Sequence, residues 1–233
     1  MVQLRTLAAL CSVILPVLAQ TKLRYMPFGD SITEFGCWRA FLWQKLQQDG
    51  YTNVDFVGSM TSQTQCSGIN YDKNHEGHAG YQAVNIANQN QLVGWLQRNP
   101  ADIITMHLGT NDANARRSTQ DVINSFSKMV DQMRAANPRM RIIVAKIIPL
   151  PSNNQPIVSL NNAIPAWATS KNTTDSPIWV VDQYTGFTSS DLGDGVHPNT
   201  SGDRKMTEVW YPALVGAIKS LQVAAKREVE FKA

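Results

Sequence analysis

Beyond its first twenty positions the sequence has no long apolar run, no block of Lys or Arg, no Pro/Gly/Ser-rich linker and no internal repeat. Each absence excludes something. Without ~20 consecutive apolar residues there is no segment able to cross a bilayer as a helix. A net charge of +3, spread along the chain, leaves no footprint for nucleic acid or a membrane surface. With neither linker nor repeat, nothing divides the chain into separate domains or a solenoid. Cysteine is also scarce, at three residues in 233.

The first twenty residues, "MVQLRTLAALCSVILPVLAQ", read as a secretory signal. Arg5 provides the positive start, residues 6–18 are almost wholly apolar, and Val17-Leu18-Ala19 precedes an expected cut near Ala19 or Gln20. The expectation is therefore a secreted, extracellular protein with one domain over residues 21–233. A chain of that size buries roughly 70% of its unfolded surface. Cys11 leaves with the signal, so Cys37 and Cys66 form one candidate disulfide in an oxidising compartment, two free thiols being the alternative. Closing the loop between them stabilises by at most ~3.6 kcal/mol on chain-entropy grounds. The sequons at Asn172 and Asn199 are candidate glycosylation sites in such a compartment.

What is present is an alternation of short apolar runs with longer amphipathic ones. "LRYMPF" (23–28), "VDFVG" (54–58), "DIITMHLG" (102–109), "RIIVAKII" (141–148) and "PIWVVD" (177–182) predict buried strands. Helical patterns lie near 37–49, 82–97, 119–136, 157–169 and 201–222. In the third of these, Val122, Phe126, Met129, Val130 and Met133 share one face, and Asn137-Pro138 stops the helix. The pattern predicts an α/β fold, a three-layer α/β/α sandwich around a mostly parallel five-stranded sheet. In such folds ligands bind beyond the carboxyl ends of the strands.

Four polar, glycine-bearing segments fall on that edge: "GDSITE" (29–34), the loop "NHEGHAGYQ" (74–82), "GTND" (109–112) and "DLGDGVHPN" (191–199). Ser31 directly follows a strand and opens a helical turn, where an N-terminus favours developing negative charge. A serine hydroxyl needs a base. Of the four histidines, His107 sits inside an apolar run, and His75 and His78 have no carboxylate evidently placed to orient them. His197 has Asp194 three residues earlier, a spacing that lets the carboxylate reach Nδ1 and leaves Nε2 for the nucleophile. Asn111 offers a side-chain amide and Gly80 a backbone N–H as oxyanion donors, the latter one that a larger residue would block. Taken singly, Ser31 reads equally well as a helix cap, Asn111 and Asp112 as a turn, and Asp194-Gly195 as a surface turn. "HEGH" (75–78) lacks the spacing of HExxH, and no metal or other cofactor is expected.

Together these blocks resemble the SGNH hydrolases of the GDSL superfamily. Ser31 in "FGDSIT", Gly80 in "GHAGYQ", Asn111 in "LGTND", and Asp194 and His197 in "DGVHP" match its Ser, Gly, Asn and Asp/His blocks. The resemblance implies a flavodoxin-like arrangement, a metal-free serine esterase, Ser31–His197–Asp194 as catalytic set, and Ser31, Gly80 and Asn111 as oxyanion donors. "GDSITEFGCWRAFLWQKL" and "HEGHAGYQ" are most similar to carbohydrate esterase family three, the secreted acetylxylan esterases. That narrower likeness implies acetylated plant cell-wall xylan as substrate. Trp38 and Tyr81, beside these blocks, are candidates for a sugar-stacking surface, with core packing as the alternative reading, and a monomer without nucleic-acid or membrane partners is expected. The alternatives are a lipase, thioesterase or lysophospholipase of the same superfamily, or a non-catalytic carbohydrate-binding protein on the same scaffold.

Overall fold

The structure, a computed structural model, describes residues 22–61, 66 and 68–232, with 225–232 as helix backbone alone. The signal expected over residues 1–20 lies outside the described residues. Strand β1 (Leu23–Gly29) is followed by helices α1 (Ser31–Phe35) and α2 (Trp38–Gln48). Three short strands come next: β2 (Val54–Phe56), β3 (Met60–Thr61) and β4 (Asn74–Gly77). Helices α3 (Ala83–Asn88) and α4 (Gln91–Arg98) lead to β5 (Ile103–His107), then α5 (Thr110–Asn114) and α6 (Thr119–Ala136). The chain closes with β6 (Arg141–Lys146), α7 (Asn154–Lys171), β7 (Ile178–Asp182) and α8 (Thr200–Lys232).

All five predicted strands form, because their β-branched and aromatic runs can be buried on both faces of a sheet. β5 is buried throughout, as are Tyr25–Gly29 of β1 and Arg141–Ala145 of β6. The strands pair in parallel, β1 with β5, β5 with β6 and β6 with β7. The other edge of β1 is shared: its start pairs with β2 and its end, Phe28 and Gly29, with β4. Helices α2 and α8 pack together on one side of the sheet, while α6 packs against α3, α4 and α7 on the other. This is the predicted three-layer sandwich.

Two features depart from the expectation. Residues 74–77 form strand β4, with β3 antiparallel to it, so the sheet has seven strands rather than five. "NHEG" carries no apolar signal because its burial rests on hydrogen bonds. The Gly77 N–H donates to Nδ1 of His75 (3.0 Å), and the carboxylate of the buried Glu76 accepts the N–H and O–H of Ser59 (2.8 and 2.6 Å). The helix predicted over 82–97 is two helices, since Asn90 adopts a left-handed φ of 52° between α3 and α4. Asparagine tolerates that conformation better than most residues.

Cys37 and Cys66 are joined, with Cα atoms 5.5 Å apart. Cys37 occupies the N-cap position of α2, so the bridge ties the segment behind α1 to the β3–β4 connection.

Candidate active site

Helix α1 begins at the carboxyl end of β1, and Asp30 is its cap: Oδ1 accepts the Ile32 N–H at 3.0 Å. Ser31 is therefore the first residue of the helix rather than its cap. Its Oγ lies 2.9 Å from Nε2 of His197, a residue from the segment before α8. Nδ1 of the same ring lies 2.7 Å from Oδ2 of Asp194. With the ring proton on Nδ1 and donated to Asp194, Nε2 is left to accept the Ser31 O–H.

The turn at 194–197 is built for that orientation. Oδ1 of Asp194 accepts the backbone N–H groups of Val196 (2.9 Å) and His197 (2.8 Å), while Gly195 takes a φ of 86°. These hydrogen bonds, first the one from the His197 backbone and then the one from its ring, hold the Asp194 carboxyl down at about 2. The whole loop is pinned by Asp191, buried in the preceding 3₁₀ turn. It accepts hydrogen bonds from the Thr188 N–H, the Ser201 hydroxyl and the Lys205 ammonium (2.8, 2.9 and 2.8 Å).

The other histidines stand apart. Burial lowers His107 to about 3 and His75 to about 2, so neither is a proton carrier near neutrality. His78 departs from the expectation that no carboxylate orients it. Its Nε2 is 2.7 Å from Oε1 of Glu76, because residues two apart on an extended chain share a face. The ring is stacked on Trp95, with centroids 4.2 Å apart. With Ser59 on the far side of Glu76, the pair buttresses the end of β4.

The oxyanion candidates besides Ser31 lie on two neighbouring segments, the Gly80 turn and α5, joined by a hydrogen bond from Asn111 to the Tyr81 carbonyl. Asn111 lies in the first turn of α5, where Gly109, at φ 126°, leaves β5. That left-handed φ favours glycine, and a Cβ at 109 would also stand 2.4 Å from Leu160 Cδ2, which would have to move aside. Asn111 donates one amide hydrogen to the Tyr81 carbonyl (2.9 Å) and has a second to offer. Gly80 is exposed, with a φ of 79°. A Cβ there would meet nothing within 4 Å, which corrects the expectation that a larger residue would block the N–H. Glycine serves instead by admitting the left-handed backbone. Asp112 is a structural partner to Asn111: its buried carboxylate accepts the N–H groups of Ala83 (2.8 Å) and Val84 (3.1 Å) at the start of α3.

The two proposed sugar contacts separate. Trp38 is 1% exposed, donates Nε1–H to the Ile32 carbonyl and packs on Trp210 of α8, so it is core and offers no face to a sugar. Tyr81 is 38% exposed. Sequence reasoning missed Phe35, which is 42% exposed with its ring 5.7 Å from that of His197. Its position four residues after Ser31 on a helix was the available signal. Also missed was Arg39, fully buried, whose guanidinium donates to the Thr33 (2.8 Å) and Glu34 (2.9 Å) carbonyls at the end of α1. Nothing in its sequence context distinguishes it from a surface arginine.

The sequons also differ. Asn199 caps α8 through Oδ1, which accepts the Ser201 and Gly202 N–H groups, and its amide nitrogen donates to the Ser190 carbonyl (2.8 Å). Asn172 is exposed, and its Oδ1 accepts the Ile178 N–H at 2.8 Å.

Comparison with known proteins places this geometry in context. The model of the GDSL-like Lipase/Acylhydrolase family matches residues 28–205, from the end of β1 into α8. A family 3 carbohydrate esterase from Talaromyces cellulolyticus is 43% identical, with a TM-score of 0.81 over 84% of this chain and 98% of that one. An acetyl esterase variant solved with an acetate ion is 40% identical, with a TM-score of 0.82 over 85% of this chain and 99% of the other. A multidomain esterase of Ruminococcus flavefaciens is 32% identical over a 230-position alignment that covers 85% of this chain and 29% of that protein. This chain thus spans under a third of that relative's length. Fold, motif positions and these likenesses agree: the chain belongs to the GDSL-like Lipase/Acylhydrolase family.

Proposed function

We propose that the protein is a secreted serine esterase that removes acetyl groups from acetylated xylan. The observation that carries the chemistry is the alignment of Ser31 Oγ, His197 and Asp194 at 2.9 and 2.7 Å on the carboxyl edge of the sheet. His197 takes the Ser31 proton as Oγ attacks the acetyl carbonyl, and Asp194 stabilises the imidazolium that forms. The N–H groups of Ser31 and Gly80 and the free hydrogen of the Asn111 amide receive the oxyanion. His197 then protonates the departing sugar oxygen. Water, activated by the same ring, releases acetate and restores Ser31.

The acyl group and the sugar are argued from likeness. Relatives over nearly their whole length are described as an acetyl esterase and a family 3 carbohydrate esterase, and the exposed rings of Phe35 and Tyr81 offer apolar faces of the kind sugars stack on. The Cys37–Cys66 bridge suits an oxidising, extracellular setting, and Asn172 is the better placed acceptor for a glycan. The monomeric state belongs to the same reading.

The test compares acetate release from acetylated xylan with hydrolysis of longer acyl esters, in the native protein and in S31A. The proposal expects xylan deacetylation to dominate and S31A to lose it. Preference for long acyl chains would make the protein a lipid-directed member of the family, and an active S31A would remove Ser31 from the mechanism.

A further inference from the structure

Three hydrogen bonds converge on the turn that carries Gly80. The His78 N–H donates to the Gly29 carbonyl at 3.0 Å, and the Tyr81 carbonyl accepts from Asn111 at 2.9 Å. Between them the Ala79 N–H donates to Oε2 of Glu34 at 2.6 Å. Gly29 ends β1, and Asn111 lies on α5, the helix that follows β5. Glu34 is different, because it lies on α1, one turn beyond Ser31.

Glu34 is itself held in place. Arg39 donates to the carbonyls of Thr33 and Glu34, and α1 presses so closely on β4 that a Cβ on Gly77 would stand 2.6 Å from the Glu34 nitrogen. Gly80 has no side chain to fix it, and its own N–H makes no hydrogen bond among the described residues. Glycine without such restraint samples many backbone conformations. The Tyr81 N–H closes the turn on the His78 carbonyl at 3.2 Å, so the direction of the Gly80 N–H is set by how that turn is held: Ala79 by Glu34 and Tyr81 by Asn111.

We infer that Glu34 is a positioning residue for the oxyanion site: its carboxylate couples the nucleophile's helix to the Gly80 turn, fixing the Gly80 N–H relative to Ser31. The inference rests on the catalytic roles proposed above. Because the link acts on a donor used as charge develops, its loss falls on the transition state more than on substrate binding. An acceptor oxygen is all the link requires, so glutamine can replace glutamate and alanine cannot.

The experiment measures kcat and KM for acetate release, with melting temperature, in E34A, E34Q, E34D and S31A. Misplacing one donor should lower kcat of E34A by about 10- to 100-fold, with KM and melting temperature close to native and most activity restored in E34Q. An E34A kcat near native, or a loss carried by KM, overturns the inference. So does a well-folded E34Q no better than E34A. Should E34A not fold, E34D decides, since its shorter arm cannot reach Ala79, and kcat equal to that of E34Q would again overturn it. An inactive S31A beside an unimpaired E34A defeats this inference alone, whereas an active S31A defeats the catalytic reading beneath it.

Discussion

Asp194 holds His197 at two points: Oδ2 lies 2.7 Å from the ring Nδ1, and Oδ1 accepts the backbone N–H of the same residue at 2.8 Å. One carboxylate thus sets both the ring's tautomer and the position of the backbone that carries it. In D194N the amide oxygen can still hold the backbone, but the remaining NH₂ faces a donor and favours the wrong tautomer. The expected result is a fall in kcat of about 10²- to 10⁴-fold, with little change in thermal stability. Steady-state kinetics and a melting curve on the same preparation check this.

Asn111 and Asp112, adjacent in sequence, should fail in opposite ways. If Asn111 donates to the oxyanion as proposed, N111A should lose roughly 2.7–4 kcal/mol of transition-state stabilisation, with modest effect on folding. D112A leaves the Ala83 and Val84 N–H groups without their cap and should lose about 1–2 kcal/mol of stability. Denaturant titration beside kinetics separates the two, and equal stability losses would contradict the assignment.

The aromatic pair Phe35 and Trp38 divides along the same line. Trp38 is enclosed between α2 and α8, so W38A should cost about 3–5 kcal/mol of stability. F35A should leave the fold intact, lower kcat/KM on acetylated xylan several-fold, and barely alter hydrolysis of a sugar-free ester such as methyl acetate. An equal fall on both substrates would show that Phe35 supports the His197 ring rather than the sugar.

Asp30 gives a prediction about pH. Its carboxyl is fully buried, with Oδ2 lacking a hydrogen-bond partner among the described residues, and burial raises it to about 7, with nearby Asp112 adding to the shift. The unfolded carboxyl titrates near 4, so between about pH 4 and pH 7 the folded state binds the extra proton. The stability contributed by Asp30 is full below pH 4 and is lost as pH rises through 7. D30N cannot ionise and should remove this dependence, on the order of 1 kcal/mol per pH unit in that window. Melting curves of native protein and D30N at pH 5 and pH 8 read it directly, and parallel curves would refute it.

Much of the fold was legible because β1, β5, β6 and β7 are buried by apolar side chains, which leave a pattern in sequence. β4 was not, since His75 and Glu76 are polar residues buried with hydrogen bonds to Gly77, His78 and Ser59, which leave no apolar pattern. The site divides similarly. Ser31, Asn111, Asp194 and His197 stand in short motifs at strand ends, where local sequence and topology together point to them. Trp38 was misread because nearness to Ser31 in sequence does not say which way a helix turns its faces. Glu34 acts through the backbone of the Gly80 turn, Arg39 through the carbonyls at the end of α1, and Asp191 through Thr188, Ser201 and Lys205, and no motif announces such contacts.

Asp112 has a further consequence for how this scaffold can change its substrate. Because its carboxylate fastens α3 while Asn111 beside it holds the Tyr81 carbonyl, the "GTND" turn can be neither lengthened nor rebuilt without detaching a helix. Diversification is channelled elsewhere, to exposed side chains such as those of Phe35 and Tyr81. A library aimed at new acyl or sugar groups would gain most from randomising those two positions and leaving 109–112 untouched.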